Sequence, residues 1–264
     1  KLDITALAPE PGQLILMTDL TETRRLQKRV AHMQRLSALG KMVASLAHQV
    51  RTPLSAAMLY AANLGSKRLP EASRGNFHTK LMSRLKDLET QVNDMLLFAK
   101  SGEQQVVESV SMQQLLSEVK VGADAMVAQN HSELVVSLPE PDIEIVGNKT
   151  ALASAVQNLI HNSIQIIGSQ ARVELSAKRD DKDENCVRIS VSDNGPGIDT
   201  SLADKLFEPF FTTKSQGTGL GLAVVSSVAN AHQGRVEVYN NAHGGACFSL
   251  ILPISAEPML AEAK

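Results

Sequence analysis

The sequence predicts an α+β protein: a helical hairpin that pairs with a second copy into a four-helix bundle, followed by an α/β sandwich. Three observations carry this. Over residues 21–100 apolar side chains recur at alternating steps of three and four, the spacing of a bundle seam. Beyond residue 108 the texture changes to short apolar runs alternating with amphipathic helices, which is how a helix-covered sheet reads. Hydrophobic residues make up 43% of the 264 positions, enough for two cores, but with no Trp and 3% aromatics the packing must be aliphatic.

Taken in order, Gln13 to Thr18 reads as a short buried strand after the turn Pro9-Glu10-Pro11-Gly12. A lone strand has no partner to pair with, so residues 1–20 are expected to close an upstream domain whose remainder lies outside this chain. The first residue is Lys, not Met, which also points to a piece of a longer protein. From Thr21 to Leu64 only Gly40 and Pro53 interrupt a helical pattern whose seam runs Met33, Leu36, Gly40, Val43, Ala47, Val50, Leu54, Ala57. A helix of about forty residues needs a partner helix. After a turn at 65–75 the second helix supplies it, with Phe77, Leu81, Leu85, Leu88, Val92, Met95 and Ala99 on the same spacing. Such a hairpin cannot cover its own apolar face, so a homodimeric bundle is expected over 21–100.

Residues 101–108 read as a polar linker, and 109–254 as the second domain. In that domain strands are expected near 105–110, 132–138, 142–147, 171–179, 185–192, 235–240 and 245–253, and helices over 111–129, 148–167 and 219–232. Residues 255–264 read as a frayed tail. The formal charge of -2 gives no field of either sign, which argues against direct binding of nucleic acid or an anionic membrane. No apolar run reaches the roughly 18 residues of a membrane span. Cys186 and Cys247 have no CxxC partner and read as buried, reduced thiols of a cytoplasmic protein.

Four stretches carry chemistry. His48 lies on the edge of the first helix's apolar seam, five residues before Pro53, whose missing N–H should loosen or bend the helix there. Taken alone, such a histidine is more often a bland surface residue of a helix. Asn158 and Asn162 stand four apart on one helical face beside core positions; asparagine oxygens suit magnesium when the ligand's phosphates bring the charge, or they simply line a polar surface. Asp193 ends a strand and is followed by Gly195 and Gly197, a place to accept a hydrogen bond from an adenine amino group, or an ordinary turn. Gly217-Thr218-Gly219-Leu220-Gly221 opens a helix and frees backbone N–H groups for a triphosphate, though glycines alone say little and no G-x-G-x-x-G pattern is present. Between these two loops, Phe207, Phe210, Phe211, Thr213 and Lys214 suggest a lid with one cation for a phosphate.

Together these five segments, in this order, resemble the sensor histidine kinases of two-component systems, over nearly the whole chain. His48-Gln49-Val50-Arg51-Thr52-Pro53 resembles the phosphoacceptor box, Asn158 to Asn162 the N box, Asp193 to Gly197 the G1 box, Leu206 to Phe211 the F box, and Gly217 to Leu222 the G2 box. The histidine box is most similar to flagellar regulatory kinases of the FlrB/FleS type, whose partner is a sigma-54-dependent response regulator. The resemblance implies a PAS-like end at residues 1–20 and a Bergerat-type ATP-binding sandwich. It implies a reaction site of His48, Gln49, Arg51 and Thr52, with His48 attacking the γ-phosphoryl of ATP and a regulator's receiver-domain aspartate taking it next. Asn162 would hold Mg2+ with Asn158 nearby, Asp193 would read adenine, and Gly195, Gly197, Gly217, Gly219 and Gly221 would line the nucleotide together with Thr213, Lys214, Thr218 and Leu220. His161 would touch the phosphate or face solvent.

One position departs from the family. Most relatives carry Glu or Asp directly after the phosphorylated histidine, and here it is Gln49. An amide cannot take a proton, but it can accept a hydrogen bond from the imidazole and fix the tautomer. Thr52, one turn from His48, would orient a hydrolytic water against a phospho-aspartate, or would merely cap the backbone before Pro53.

Overall fold

The structure is a computed structural model that describes residues 2–6, 13–20, 43–66, 69–100, 107–214 and 218–254, with scattered positions between 22 and 40. Gly217, most of 101–108 and the segment 255–264 therefore lie outside the described residues. The expected strand at 13–18 is β2, Gln13–Met17, but it is not alone: β1, Leu2–Ala6, pairs with it antiparallel, Leu2 opposite Met17 and Ala6 opposite Gln13. Nor is it buried, since Leu14, Ile15 and Leu16 are 55–57% exposed and Met17 is 80% exposed. Leu2-Asp3-Ile4-Thr5 is short and preceded by a single residue, too little pattern to read as a strand from sequence.

Glu22, Leu26, Val30, Met33 and Gly40 are helical and exposed. Helix α1 follows over Val43–Leu64 and runs through Pro53 without a break. Helix α2, Glu71–Lys100, starts earlier than the turn expected at 65–75. Pro70 favours a helix start just after it and Glu71 complements the dipole of the first turn. Arg74 then reaches back to donate to the carbonyls of Leu64 at 3.0 Å and Ser66 at 3.5 Å, so residues 71–75 close the turn as helix. Tyr60 meets Phe77 edge to face at 5.7 Å, and Ala57 and Pro53 are buried on this inner side.

The second part runs β3 (Glu108–Ser111), α3 (Met112–Gln129), β4 (Glu133–Ser137), β5 (Glu144–Gly147), α4 (Lys149–Ile167), β6 (Arg172–Arg179), β7 (Cys186–Asp193), α5 (Gly221–Ala231), β8 (Arg235–Asn240) and β9 (Ala246–Pro253). The strands do not form one sheet. Antiparallel β3 and β5 make a separate ribbon, and the main sheet is ordered β4-β6-β7-β9-β8, with β4 and β6 parallel and the other pairs antiparallel. Ser111 caps α3 and Asn148 caps α4, each accepting from the backbone N–H three residues on, at 3.2 and 2.7 Å.

Alternation along β6 and β7 turns Val173, Leu175, Val187, Ile189 and Val191 toward α4 and α5, where Leu152, Val156, Leu159, Val224 and Val228 complete one continuous core. That core also takes in Val110, Met112 and Leu115, so the β3–α3 segment belongs to the same packed unit. On the opposite face Arg188 donates to Asp180 at 2.7 Å and to Glu237 at 2.8 Å. Burial works upward on the Asp180 carboxyl, but its bond to Arg188 and the charges of Arg188 and Arg235 hold it below the usual carboxylate range. His232 pins the start of α4 to the end of α5: its Nε2 accepts from Asn148 N–H at 2.9 Å, which leaves Nδ1–H to donate to the Val228 carbonyl at 2.7 Å. Cys247 is buried but Cys186 is only half-buried, contrary to expectation, because it stands at the sheet's end beside Asp183.

Candidate active site

Hairpin and sandwich enclose a cleft of about 680 Å³ between them. One wall comes from α1 and α2: His48, Gln49, Thr52 and Pro53 face Arg84, Asp87 and Gln91. The other comes from α4 and the loops after β7: Asn158, His161, Asn162 and Gln165, then Gly197, and Thr213, Lys214, Thr218, Gly219 and Gly221. The α4 residues share a face because they are spaced three and four apart, while Leu152, Val156, Leu159 and Ile160 point the other way into the core.

His48 is exposed on its helix, and Thr52 Oγ donates to the His48 carbonyl at 3.2 Å. That bond ties the hydroxyl to the backbone of the turn before Pro53, and Thr52 lines the cleft. Arg51 is exposed and does not line the cleft.

The lid lysine is engaged. Lys214 Nζ donates to Asn162 Oδ1 at 3.2 Å and to Gln165 Oε1 at 2.9 Å, and burial pushes its pKa down. Gln165 Nε2 meets His161 Nε2 at 3.0 Å; an amide nitrogen only donates, so the ring nitrogen accepts and His161 carries its proton on Nδ1. Burial and then the Lys214 charge lower the His161 pKa, against an opposing pull from Asp87, so the ring is neutral at pH 7. His161 therefore faces the cleft, not open solvent.

Asp193 stands behind the cleft wall, 8% exposed, with its carboxylate fixed on three sides. Oδ1 accepts from the N–H groups of Gly195 at 2.9 Å and Ala246 at 3.0 Å, and Oδ2 accepts from Ser163 Oγ at 2.8 Å. The following loop is held by Asn240, whose Oδ1 accepts from Ile198 N–H at 2.7 Å and whose Nδ2 donates to Ile198 O at 3.0 Å. Gly197 has φ +77 and a Cβ there would lie 2.5 Å from the Gly244 carbonyl, so no other residue fits. Gly219, at φ +65, packs so closely on Phe210 that a Cβ would sit 2.4 Å from its backbone, and Phe210 N–H donates to Gly219 O at 2.8 Å. Phe207 meets Phe248 of β9 edge to face at 6.4 Å, fastening the F-box segment to the sandwich. Leu220 contributes no side chain to the cleft: it is fully buried in the core and its N–H donates to Thr218 Oγ at 3.2 Å.

The donor set fits a cation only if phosphates come with it. Asn162 Oδ1 already faces an ammonium, so it is an acceptor oxygen aimed at positive charge. No group of three His, Cys, Asp or Glu among the described residues could hold a metal by itself, so a metal here would need phosphate oxygens as further ligands. Arg84, Asp87, Gln91, Ser163, Gln165 and Asn240 were not expected from the sequence. Gln165 alone left a signal there, one turn beyond His161 on the N-box face.

Comparison with known proteins decides the family. Residues 38–104 match the His Kinase A (phospho-acceptor) domain and residues 147–256 the histidine kinase-, DNA gyrase B- and HSP90-like ATPase. The chain belongs to the histidine kinases. Sensor protein kinase FleS of Pseudomonas aeruginosa is 47% identical over 97% of this chain, which spans 62% of that relative. The signal transduction histidine-protein kinase AtoS of Escherichia coli is 31% identical over 93% of the chain, which spans 40% of it. Among solved structures, full-length ShkA in complex with AMPPNP superposes with a TM-score of 0.58 at 27% identity, over 82% of this chain and 46% of that one. The histidine kinase ThkA in complex with response regulator protein TrrA has the same fold, with a TM-score of 0.69 at 24% identity over 96% of this chain and 74% of that one. Within this histidine kinase, the phospho-acceptor match covers α1 and α2 and the ATPase match begins at β5. No helix among the described residues is long and apolar enough to cross a membrane.

Proposed function

We propose that the chain binds ATP with Mg2+, autophosphorylates His48 and passes the phosphoryl group to an aspartate of a response regulator's receiver domain. The observation that carries this is one cleft holding His48 on one wall and Asn162, Lys214 and Gly219 on the other. Neutral His48 attacks the γ-phosphorus through Nε2; the Nε2–P bond forms, the bond from phosphorus to the bridging oxygen breaks, and ADP leaves with that electron pair. In the transfer geometry Gln49 Oε1 would accept the Nδ1–H hydrogen bond and set the tautomer, a bond not formed in this structure, and the Nδ1 proton would then go to water, since the amide cannot keep it. Asn162, with Asn158 nearby, would hold magnesium, which would neutralise phosphate charge when bound. Lys214 adds a cation on the same side, and positioning and charge do most of the work in such transfers. Asp193, held by Ser163, reads the adenine amino group.

The hairpin, residues 21–100, serves as the dimerisation and phosphotransfer unit and residues 109–254 as the ATP-binding unit, the working assembly being a homodimer in the cytoplasm. The similarity to FleS supports a response regulator of flagellar genes as the recipient, and the likeness of the histidine box to flagellar regulatory kinases implies one of the sigma-54-dependent type. Thr52, one turn from His48 on the cleft side, supports a second activity, orienting water against the regulator's phospho-aspartate. One chain is enough to bring His48 and the lid residues to a common cleft, and on that ground we take transfer to His48 to run within a subunit.

Incubation with γ-labelled ATP and Mg2+ should give an acid-labile label that His48→Ala abolishes while nucleotide binding persists. Mixed dimers of His48→Ala and Asn162→Ala chains should stay unlabelled; label in the mixture would refute transfer within one chain. Gln49 favours one alternative, an ATP-binding switch that acts by docking or as a phosphatase only. A filled nucleotide pocket without phosphohistidine would select it.

A further inference from the structure

We infer that Gln165 is a positioning residue that holds the Lys214 ammonium on the Asn162 oxygen which a divalent cation would claim, so that Lys214 is a resident stand-in for that cation. The inference rests on the reading of Asn162 as a metal ligand.

Both ends of the Gln165 amide are committed: Nε2 donates to His161 Nε2 at 3.0 Å and Oε1 accepts from Lys214 Nζ at 2.9 Å. The amide cannot turn over. Reversed, it would set its NH2 group against the Lys214 ammonium, donor against donor. The His161 tautomer, the Gln165 orientation and the Lys214 position are therefore one locked set, two of its members one turn apart on α4. The same Nζ lies 3.2 Å from Asn162 Oδ1. Magnesium would approach that oxygen to about 2.0–2.1 Å, and two cations crowded on one amide oxygen repel strongly. Binding of a metal–nucleotide complex must therefore dislodge Lys214 from Asn162. Gln165 Oε1 keeps its hold, so the ammonium stays beside the cleft, within reach of phosphate oxygens that can replace the lost acceptor.

The side-chain amide signals of Asn162 and Gln165 in 15N-labelled protein test this. Without nucleotide, Lys214→Met should shift both. In the wild type, Mg2+ with the non-hydrolysable β,γ-imido analogue of ATP should shift Asn162 and leave Gln165 near its place. If Lys214→Met moves neither, or if the complex shifts Gln165 as far as Asn162, the proposal is overturned. In steady-state kinetics Gln165→Leu should raise KM for ATP about fivefold with kcat changed by less than about twofold, and Gln165→Glu, which still accepts from Lys214, should restore KM. An unchanged KM in Gln165→Leu, or no recovery in Gln165→Glu, overturns the positioning role. An equal Asn162 shift with EDTA in place of Mg2+ refutes the metal-ligand reading alone, while the contacts of Lys214 are judged separately by Lys214→Met.

Discussion

Along α2, Met82, Leu85, Val92 and Leu96 remain 44–52% exposed, whereas Val187, Ile189 and Val191 of β7 are entirely buried. The same aliphatic residue types thus end in opposite surroundings. The sandwich satisfies its apolar side chains within one chain: the sheet, α4 and α5 close on each other. The hairpin covers only its inner side, around Pro53, Ala57, Tyr60 and Phe77, and presents Leu54, Met58 and Leu59 of α1 outward as well. The sandwich closes its core within one chain, with Met95 of α2 packed against it, while the hairpin leaves an apolar stripe that a second copy would cover in the proposed homodimer.

The largest effect expected from that contrast is on association. Leu85→Glu with Val92→Glu would place four carboxylates in the bundle of a dimer and remove two apolar anchors per chain. Subunit affinity should fall on the order of a thousandfold or more, read by sedimentation, while the sandwich keeps its nucleotide affinity. Dimers of undiminished affinity would show that the exposed stripe is not the interface. Next in size, Leu250→Ala removes a fully buried side chain of β9 and should cost the sandwich about 2–5 kcal/mol. Its thermal transition should drop while the subunits remain paired. A loss of pairing in step with that drop would mean the two units do not stand apart energetically.

The two regions were also unequally legible. The strands and α-helices of the sandwich could be placed from their sequence, because alternation switches to helical spacing at their boundaries; the 3-10 turn Thr200–Leu202 carries no such signal and reads as loop. The hairpin turn was misplaced because Gly75 looked like its end, and Arg74, a residue with no breaker signature, closes it through a contact ten positions away. Strand β1 was missed because a strand so short is defined by its partner. In the site, the residues that point at a ligand were visible as motifs. Those that hold them were not: Ser163 meets Asp193 across 30 positions and Asn240 meets Ile198 across 42, pairings made only by the sheet's topology. Leu220 shows the converse, a motif residue whose position inside the G2 box serves the core.

The finest difference between the regions rests on one side chain of the hairpin, Gln49. Everything the sandwich contributes to transfer, namely the nucleotide, Asn162 and Lys214, is independent of whether residue 49 can take a proton. Gln49→Glu introduces a carboxylate next to His48 without altering any core contact of the sandwich. It should raise autophosphorylation roughly tenfold, below the 10²- to 10⁴-fold that a well-placed general base contributes. KM for ATP should stay as it was, since the change touches the acceptor side only. A fall in phosphohistidine formation, with nucleotide affinity and pairing intact, would show that the amide is doing something a carboxylate cannot, namely donating through its NH2 group to hold the ring or a phosphate oxygen.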